Sequence, residues 1–267
     1  MTGPEEIPFL RRTVVVMPAL DEEDSVADAL RHWKDDWKLP VVRVIDNGSV
    51  DQTAERARAA GAEVIREPRR GYGAAAWTGV QDLPANAQWI LFASADGSDY
   101  LDPRSAAAFQ AAVDSGAGLV VGNRLARPQS RRHLSPVQRF GNGLCCFLIR
   151  WGWGTRFRDM GSLRLIHRDV LKMLELQDRA FGWNIEMQIR AIECGVCAHE
   201  VPVGYRPRTA GEGKISGNVA GVARAGRDIL LMLGTFYLRR WRSPRAAAQL
   251  KATNSVERIA ARRHSAH

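Results

Sequence analysis

Three observations predict an α/β protein built on a mostly parallel sheet with helices on both faces. Short apolar, β-branched runs alternate with helix-length segments from Thr13 onward, the rhythm of βαβ units. Residues 89–93 (Trp-Ile-Leu-Phe-Ala) are apolar throughout, as a buried strand is. The first, second and fourth runs each end in a polar loop bearing carboxylates. In an open α/β sheet such loops share the rim where ligands sit.

The elements follow in order. Residues 13–17 make a first strand, and the acid-rich stretch after Pro18 opens a helix to about residue 34. Residues 41–45 are the second strand. In the turn over 46–51, Ser49 or Asp51 can cap the next helix, which stops at Gly61. A third strand covers 62–65, a helix 72–83, the fourth strand 89–93, a helix 103–115 and a further strand 118–122. No fixed-period repeat occurs, which excludes solenoid folds. After Asn123 a basic loop (Arg124, Arg127, Arg131, Arg132) runs into a helix over 137–151 rich in large apolar side chains. A late strand lies around Val201, and a glycine-rich loop spans 204–217. A final helix is expected over 218–241, and its segment 229–238 is apolar almost all round, between Arg227 and Arg239, Arg240 and Trp241. Such a segment is too short to cross a bilayer. It suits a helix lying in the membrane interface or one packed on protein, and periodicity does not separate the two.

Composition narrows the function classes. The 267 residues allow one large domain or two small ones, and 45% apolar content supports a core. The net charge of +9 is unevenly spread: over 242–267 six Lys or Arg face one acid, giving +5 and leaving +4 for the body. That tail is expected to be disordered, or a weak helix on an anionic surface. No nucleic-acid recognition motif or aromatic interleaving accompanies the charge. Cys145, Cys146, Cys194 and Cys197 make no disulfide framework in a chain this long. Cys194 and Cys197 lack the second pair a zinc site requires, so all four read as buried thiols of a reducing compartment. The N-terminus carries Glu5 and Glu6 without a long apolar core, unlike a signal peptide. A cytoplasmic protein is expected.

The most informative segment is 89–102, where the apolar run breaks into Asp96, Asp99 and Asp102 around Gly97. Carboxylates grouped at a strand end repel one another unless a cation neutralises them. The segment therefore points to a metal-assisted site for a phosphate-bearing ligand. Ser94 stands where a further carboxylate would complete an Asp-x-Asp pair. The loops after strand one (Pro18 to Glu23) and strand two (Asp46, Asn47, Ser49, Asp51) reach the same rim. Arg70, Gly71, Tyr72 and Gly73 open a helix whose free amides and dipole favour a phosphate; tight-turn chemistry produces the same pattern.

Taken in order, the pieces VVVMPALDEED, VIDNGSVDQT, RGYGAAAWTG, FASADGSDYLDP, GNRLAR, QRFGNGL, RDMGSLRLIHRDVL, FGWNIEMQIRA and YRPRTAGEGKISG resemble a family 2 glycosyltransferase with the GT-A fold. Within that family the likeness is to the dolichyl- and polyprenyl-phosphate hexose synthases, over about residues 13–241. The resemblance implies a Rossmann-like central sheet and a C-terminal amphipathic helix. It divides the chain into an extension (1–12), a nucleotide-binding half (13–122), an acceptor half (123–217), the helix (218–241) and a basic tail (242–267). It implies that Pro18, Ala19 and Glu22 border the donor's base and ribose and that Asp46 binds the nucleoside, with Asn47 and Gly71 also on the donor side. Asp96 would hold Mg²⁺ or Mn²⁺ against the donor diphosphate, with Ser98 near the metal. Asp159 belongs to the acceptor side and, with Glu186, is the candidate base. Arg124, Arg139, Arg164, Arg206, Arg208 and Lys214 would gather phosphates, with Gly211 and Gly213 letting their loop close. Two residues depart from the family pattern: Ser94 replaces the first acid of Asp-x-Asp, and Asp21 replaces an Asn. A neutral oxygen at Ser94 serves a hard cation less well than a carboxylate.

Glycosyl transfer requires the nucleoside diphosphate to leave, and a metal with cationic side chains stabilises its charge. An alcohol acceptor also requires a base. A phosphate acceptor does not, because its second pKa of about 6 leaves it largely dianionic. It requires positive charge, which arginine forks supply unless they are only a solvated basic face. The expectation is inverting, in-line displacement at the sugar C1, from a UDP- or GDP-hexose to a polyprenyl phosphate. The protein would be peripheral on the anionic inner face of the membrane. Two other readings stay open: a transferase for another lipid or soluble hydroxyl acceptor, and a GT-A-like binding protein whose catalysis lapsed with Ser94.

Overall fold

The computed structural model describes residues 7–155, 157–208 and 219–242. Its strands are β1 (Thr13–Ala19), β2 (Val41–Asp46), β3 (Glu63–Arg66), β4 (Trp89–Phe92), β5 (Asp99–Tyr100), β6 (Leu119–Asn123), β7 (Arg164–His167), β8 (Ala198–Pro202) and β9 (Gly204–Tyr205). Seven form one sheet in the order β3-β2-β1-β4-β7-β6-β8, and β5 pairs with β9 as a separate ribbon. Strands β1 to β4 are mutually parallel, as are β6 and β8, while β7 runs antiparallel to both β4 and β6. The predicted mostly parallel sheet is therefore present, with β7 as its single reversed strand. Sequence reading did not assign β7, because two apolar residues between Arg164 and His167 carry no decisive period.

Nine helices lie among the described residues: α1 (Val26–Arg31), α2 (Thr53–Ala59), α3 (Tyr72–Gly79), α4 (Pro103–Asp114), α5 (Pro128–Arg132), α6 (Pro136–Trp153), α7 (Arg168–Leu174), α8 (Trp183–Glu193) and α9 (Val219–Arg242). Alternate strand residues point to opposite faces, and the core divides accordingly. Val15, Met17 and Leu91 pack with Leu30 of α1, Ala57 of α2 and Phe109 of α4. Val14, Val16 and Ile90 pack with Ala75 of α3, Ile149 of α6, Trp183 of α8 and Phe236 of α9.

Local chemistry explains several boundaries. Asp102 caps α4 by accepting the Arg104 and Ser105 amides, and its carboxyl stays below the usual range. Burial pushes the other way, but hydrogen bonds from Arg127 and Ser105 outweigh it. Asp51 Oδ1 accepts the Thr53 amide at 3.0 Å at the start of α2, and Gly61 at φ 79° ends that helix region. In α9, Leu233 and Phe236 are buried while Leu230, Leu231, Leu238 and Trp241 are exposed. One side of that helix packs on protein and the other is open. Cys145 is buried, but Cys197 is exposed, which corrects the expectation of four buried thiols. Among the described residues no helix is long and apolar enough to cross a membrane.

Candidate active site

Register places the site. Ala19 lies level with Asp46, and Asp46 with Arg66, so the loops after β1, β2 and β3 open on one rim. They are laced together. The Asp21 amide donates to Ser49 Oγ at 3.0 Å, the Val50 amide to Asp21 Oδ1 at 2.9 Å and the Glu22 amide to Thr53 Oγ1 at 2.7 Å. Asp21 sits at φ 51°, a left-handed conformation that Asn and Asp tolerate better than other side-chain-bearing residues. Pro18 and Ala19 end β1 beside this lacing. Asp46 is buried, and its Oδ1 accepts the Ser49 amide at 2.9 Å. Asn47 Nδ2 donates to the Glu67 and Arg69 carbonyls, while its Oδ1 accepts the Gly71 amide at 2.8 Å.

The start of α3 corrects one expectation. Its amides are not free for a phosphate: Gly73 donates to the Ala180 carbonyl at 2.8 Å and Ala74 to that of Arg179 at 2.9 Å. Gly71 adopts φ 150°, and a Cβ there would stand 2.2 Å from the Arg179 oxygen. Glycine is needed because another loop passes so close. Glu186 holds that loop. It is buried, and its Oε2 accepts the Gln177 amide at 3.0 Å and the Asp178 amide at 2.7 Å.

Asp96 occupies the centre of the rim. Its Oδ1 accepts the Ser98 amide at 2.9 Å and the Ser98 hydroxyl at 2.6 Å, and its Oδ2 lies 3.1 Å from Arg208 Nη1. The same guanidinium bonds Glu22 Oε1. Glu22 has a carboxyl raised above its ordinary value, because burial outweighs the opposing pull of Arg208. The β5–β9 ribbon brings these groups together. Asp99 pairs with Tyr205, so the chain after β9 passes Asp96. There the Arg206 amide donates to the Ser98 carbonyl at 3.0 Å and its Nε to the Gly97 carbonyl at 2.7 Å.

Behind Asp96 lies a cluster that sequence reading did not resolve. Asp99 is 2% exposed, and its Oδ2 accepts the Ser94 amide at 2.9 Å and the Ser162 hydroxyl at 2.5 Å. The Ser94 hydroxyl donates to Ser162 Oγ at 3.0 Å. Asp99 Oδ1 has no hydrogen-bond partner. Burial raises the Asp99 carboxyl above the usual range; the Ser162 hydrogen bond opposes that and the nearby Asp96 adds to it. Ser162 was within a quoted motif but not singled out. Its only signal was a small polar residue beside Gly161, just ahead of β7.

On the acceptor side Asp159 is fully buried and holds Arg124 at both ends, Nε to Oδ2 at 2.9 Å and Nη2 to Oδ1 at 2.7 Å. Burial alone favours a neutral Arg124, but Asp159 overrides it and raises the pKa. Arg124 also stacks on Tyr205, 5.1 Å from the ring centroid. Arg164 departs from its expected role as a phosphate ligand. It is fully buried in β7, donates to the Gly161 and Asn184 carbonyls and is pushed down to about 10 by burial. Arg139 is exposed in the first turn of α6. Lys214, Gly211 and Gly213 lie outside the described residues.

Comparisons with known proteins identify the family and the fold. The family model described as "Glycosyl transferase family 2" matches residues 14–174. An uncharacterized glycosyltransferase of Mycobacterium tuberculosis is 36% identical over 207 residues, 78% of this chain and 91% of that protein. A dolichyl-phosphate hexose transferase of Haloferax volcanii is 29% identical over 221 residues, 81% of this chain and 91% of that protein. Among solved structures, glucosyl-3-phosphoglycerate synthase from Mycobacterium tuberculosis, in complex with Mn²⁺, UDP and phosphoglyceric acid, superposes with a TM-score of 0.64 at 18% identity. That match covers 89% of this chain and 83% of the other. The sheet with its reversed β7, the carboxylate rim and the matched family model together make this chain a member of glycosyltransferase family 2, with the GT-A fold.

Proposed function

We propose that this glycosyltransferase moves a hexose from a UDP- or GDP-hexose to a polyprenyl phosphate, inverting the anomeric centre. One observation carries the acceptor class: both carboxylates considered as bases are already committed. Asp159 is held by the Arg124 fork and Glu186 by two backbone amides. A hydroxyl acceptor would have to surrender its proton to such a group. A phosphate arrives ionised and asks instead for guanidinium groups. Arg206 and Arg208 stand beside Asp96 for that purpose. The name of the Haloferax relative, a dolichyl-phosphate hexose transferase, supports the same class.

The residues present fit a divalent cation that arrives with its donor. Among the described residues no group of three or more His, Cys, Asp or Glu could hold a metal alone. Mg²⁺ is commonly held by one or two carboxylates and completed by substrate phosphates. Asp96, with Ser98, is placed to supply the protein's share for Mg²⁺ or Mn²⁺. A cation held there would supply charge neutralisation for the departing diphosphate. The other roles belong to the chain itself. Pro18, Ala19, Glu22 and Asp46 border the nucleoside, Asn47 and Gly71 shape the wall behind it, and Arg124 presents charge on the acceptor side. With this acceptor the enzyme works as a peripheral protein at the cytoplasmic face of a membrane.

The test is incubation with radiolabelled UDP-glucose or GDP-mannose, Mn²⁺ and polyprenyl phosphate, followed by solvent extraction. Label is expected in the organic phase with one donor. Label that stays water-soluble with every donor overturns the acceptor. Label moved onto a hydroxyl acceptor instead restores the alternative transferase, and no transfer with any acceptor supports a lapsed, binding-only protein.

A further inference from the structure

Among the described residues, nine of the twelve large apolar side chains left exposed lie on two helices, the others being Val50, Trp77 and Met173. α6 exposes Phe140 (73%), Phe147 (61%) and Trp151 (76%), with Val137 and Leu144 in the same row. At 3.6 residues per turn, positions 140, 144, 147 and 151 form one stripe. The buried residues of α6 (Asn142, Cys145, Ile149 and Trp153) form the opposite one. α9 repeats the pattern, with Leu233 and Phe236 inward and Leu231, Leu238 and Trp241 outward. The helices meet where the Tyr237 hydroxyl donates to the Leu148 carbonyl and its ring lies 5.1 Å from that of Trp153. Trp151 and Leu238 neighbour these contact residues in sequence.

Charge in the segments that carry these helices is predominantly positive. Residues 115–158 contain no Asp or Glu and eight Arg, and residues 219–242 contain five Arg against one Asp. Arg139 and Arg150 are exposed and lie close to three turns apart, on one flank of the aromatic stripe.

We propose that the outer faces of α6 and α9 form one docking surface for an anionic lipid bilayer. Phe140, Phe147, Trp151 and Trp241 enter the interface, and Arg139 and Arg150 lie among the headgroups. The chemistry selects this occupant. A second copy of the chain would set arginine against arginine, with almost no acid on either face to answer it. Interfacial aromatics and juxtamembrane arginines both gain on an anionic leaflet. The sequence leaves α9 either in the interface or packed on protein; the larger exposed aromatic row is on α6. The surface deepens the membrane location proposed above but needs no particular acceptor.

Flotation of the full chain with phosphatidylcholine vesicles, with and without phosphatidylglycerol and free of polyprenyl phosphate, tests it. The chain is expected to float with the anionic vesicles, less so at high salt. Phe147→Ser with Trp151→Ser should reduce the bound fraction about tenfold, since binding scales with buried apolar area, whereas Phe147→Leu with Trp151→Phe should retain it. Arg139→Glu with Arg150→Glu should abolish the preference for anionic lipid. Because these side chains are exposed, circular dichroism and melting should match the parent, so lost binding is not lost folding. Wild-type protein that stays in the aqueous phase, or binding that survives the serine pair, overturns the proposal. So does a dimer that the serine pair dissociates, which assigns the face to a second copy. Transfer to a short-chain polyprenyl phosphate in detergent should persist in the serine pair. If transfer is absent while vesicle binding is intact, the acceptor assignment fails and the surface stands.

Discussion

Replacing Ser94 by aspartate restores the acid that the family pattern places there, and ligand counting alone predicts a gain in metal-dependent turnover. The structure predicts a loss. Ser94 Oγ and Asp99 Oδ2 are joined through the Ser162 hydroxyl by hydrogen bonds of 3.0 and 2.5 Å. A carboxylate at position 94 therefore falls within about 5.5 Å of the Asp99 carboxylate, and at an effective dielectric constant of about 20 that repulsion is about 3 kcal/mol. Asp96 adds to it. For a chain of this size such a loss lowers the melting temperature by roughly 6–12 °C. The pH dependence gives an independent check. Asp99 already has a folded pKa above its unfolded value, so its charged form is penalised in the fold. The added acid raises that pKa further. The penalty is complete above the folded pKa and is relieved as pH falls through it toward the unfolded value. Thermal unfolding of S94D should accordingly approach the parent as the solution is acidified, and transfer at neutral pH should not rise. A variant as stable as the parent at neutral pH, turning over many times faster with Mn²⁺, would refute the reasoning.

Three further outcomes are expected. Asp96→Asn, or removal of divalent cations by chelation, should reduce transfer by about 10²–10³, the scale for losing one charge-stabilising group, while leaving the melting temperature within a few degrees; a scintillation assay beside calorimetry checks both. Asp159→Ala leaves Arg124 buried without its partner and should cost about 3–5 kcal/mol in urea unfolding; a loss below 1 kcal/mol would contradict the geometry. Arg208→Ala removes the cation beside Glu22 and Asp96 and should tighten Mn²⁺ binding to the donor-free chain by about two- to fivefold, the scale of a partly exposed ion pair. Water-proton relaxation reads that binding, and unchanged affinity would count against Arg208 as the counter-ion of Glu22 and Asp96.

What sequence could and could not show follows from the range of the interactions. Strands β1, β2 and β4 were legible because their apolar, β-branched runs carry their own signal, and Asp51 was legible at the start of α2 because such side-chain bonds are local. Asp96 was legible because carboxylates interrupted a buried run. The filling of the α3 amides was not, since their acceptors, the Ala180 and Arg179 carbonyls, lie about a hundred residues away. The pairing of Glu22 with Arg208 spans 186 residues. Arg164 misled for a related reason: composition counts it as a cation, whereas its fixed fork is spent on carbonyls inside the sheet.

Ser94 shows the same distinction within a single loop. Judged as one ligand, a serine in place of an acid weakens a cation site. Judged with its neighbours, it is the residue that a buried aspartate requires. Asp99 needs donors from the 94 position, and Ser94 supplies its amide directly and its hydroxyl through Ser162. An aspartate at 94 keeps the amide but exchanges the hydroxyl for an acceptor-only group, next to a carboxylate already short of partners at Oδ1. Ser94 and Asp99 thus belong together as one hydrogen-bonded unit. Asp99 lies behind the rim and Asp96 faces Arg208, so the proposed cation would have one carboxylate from the protein and its remaining ligands from the donor.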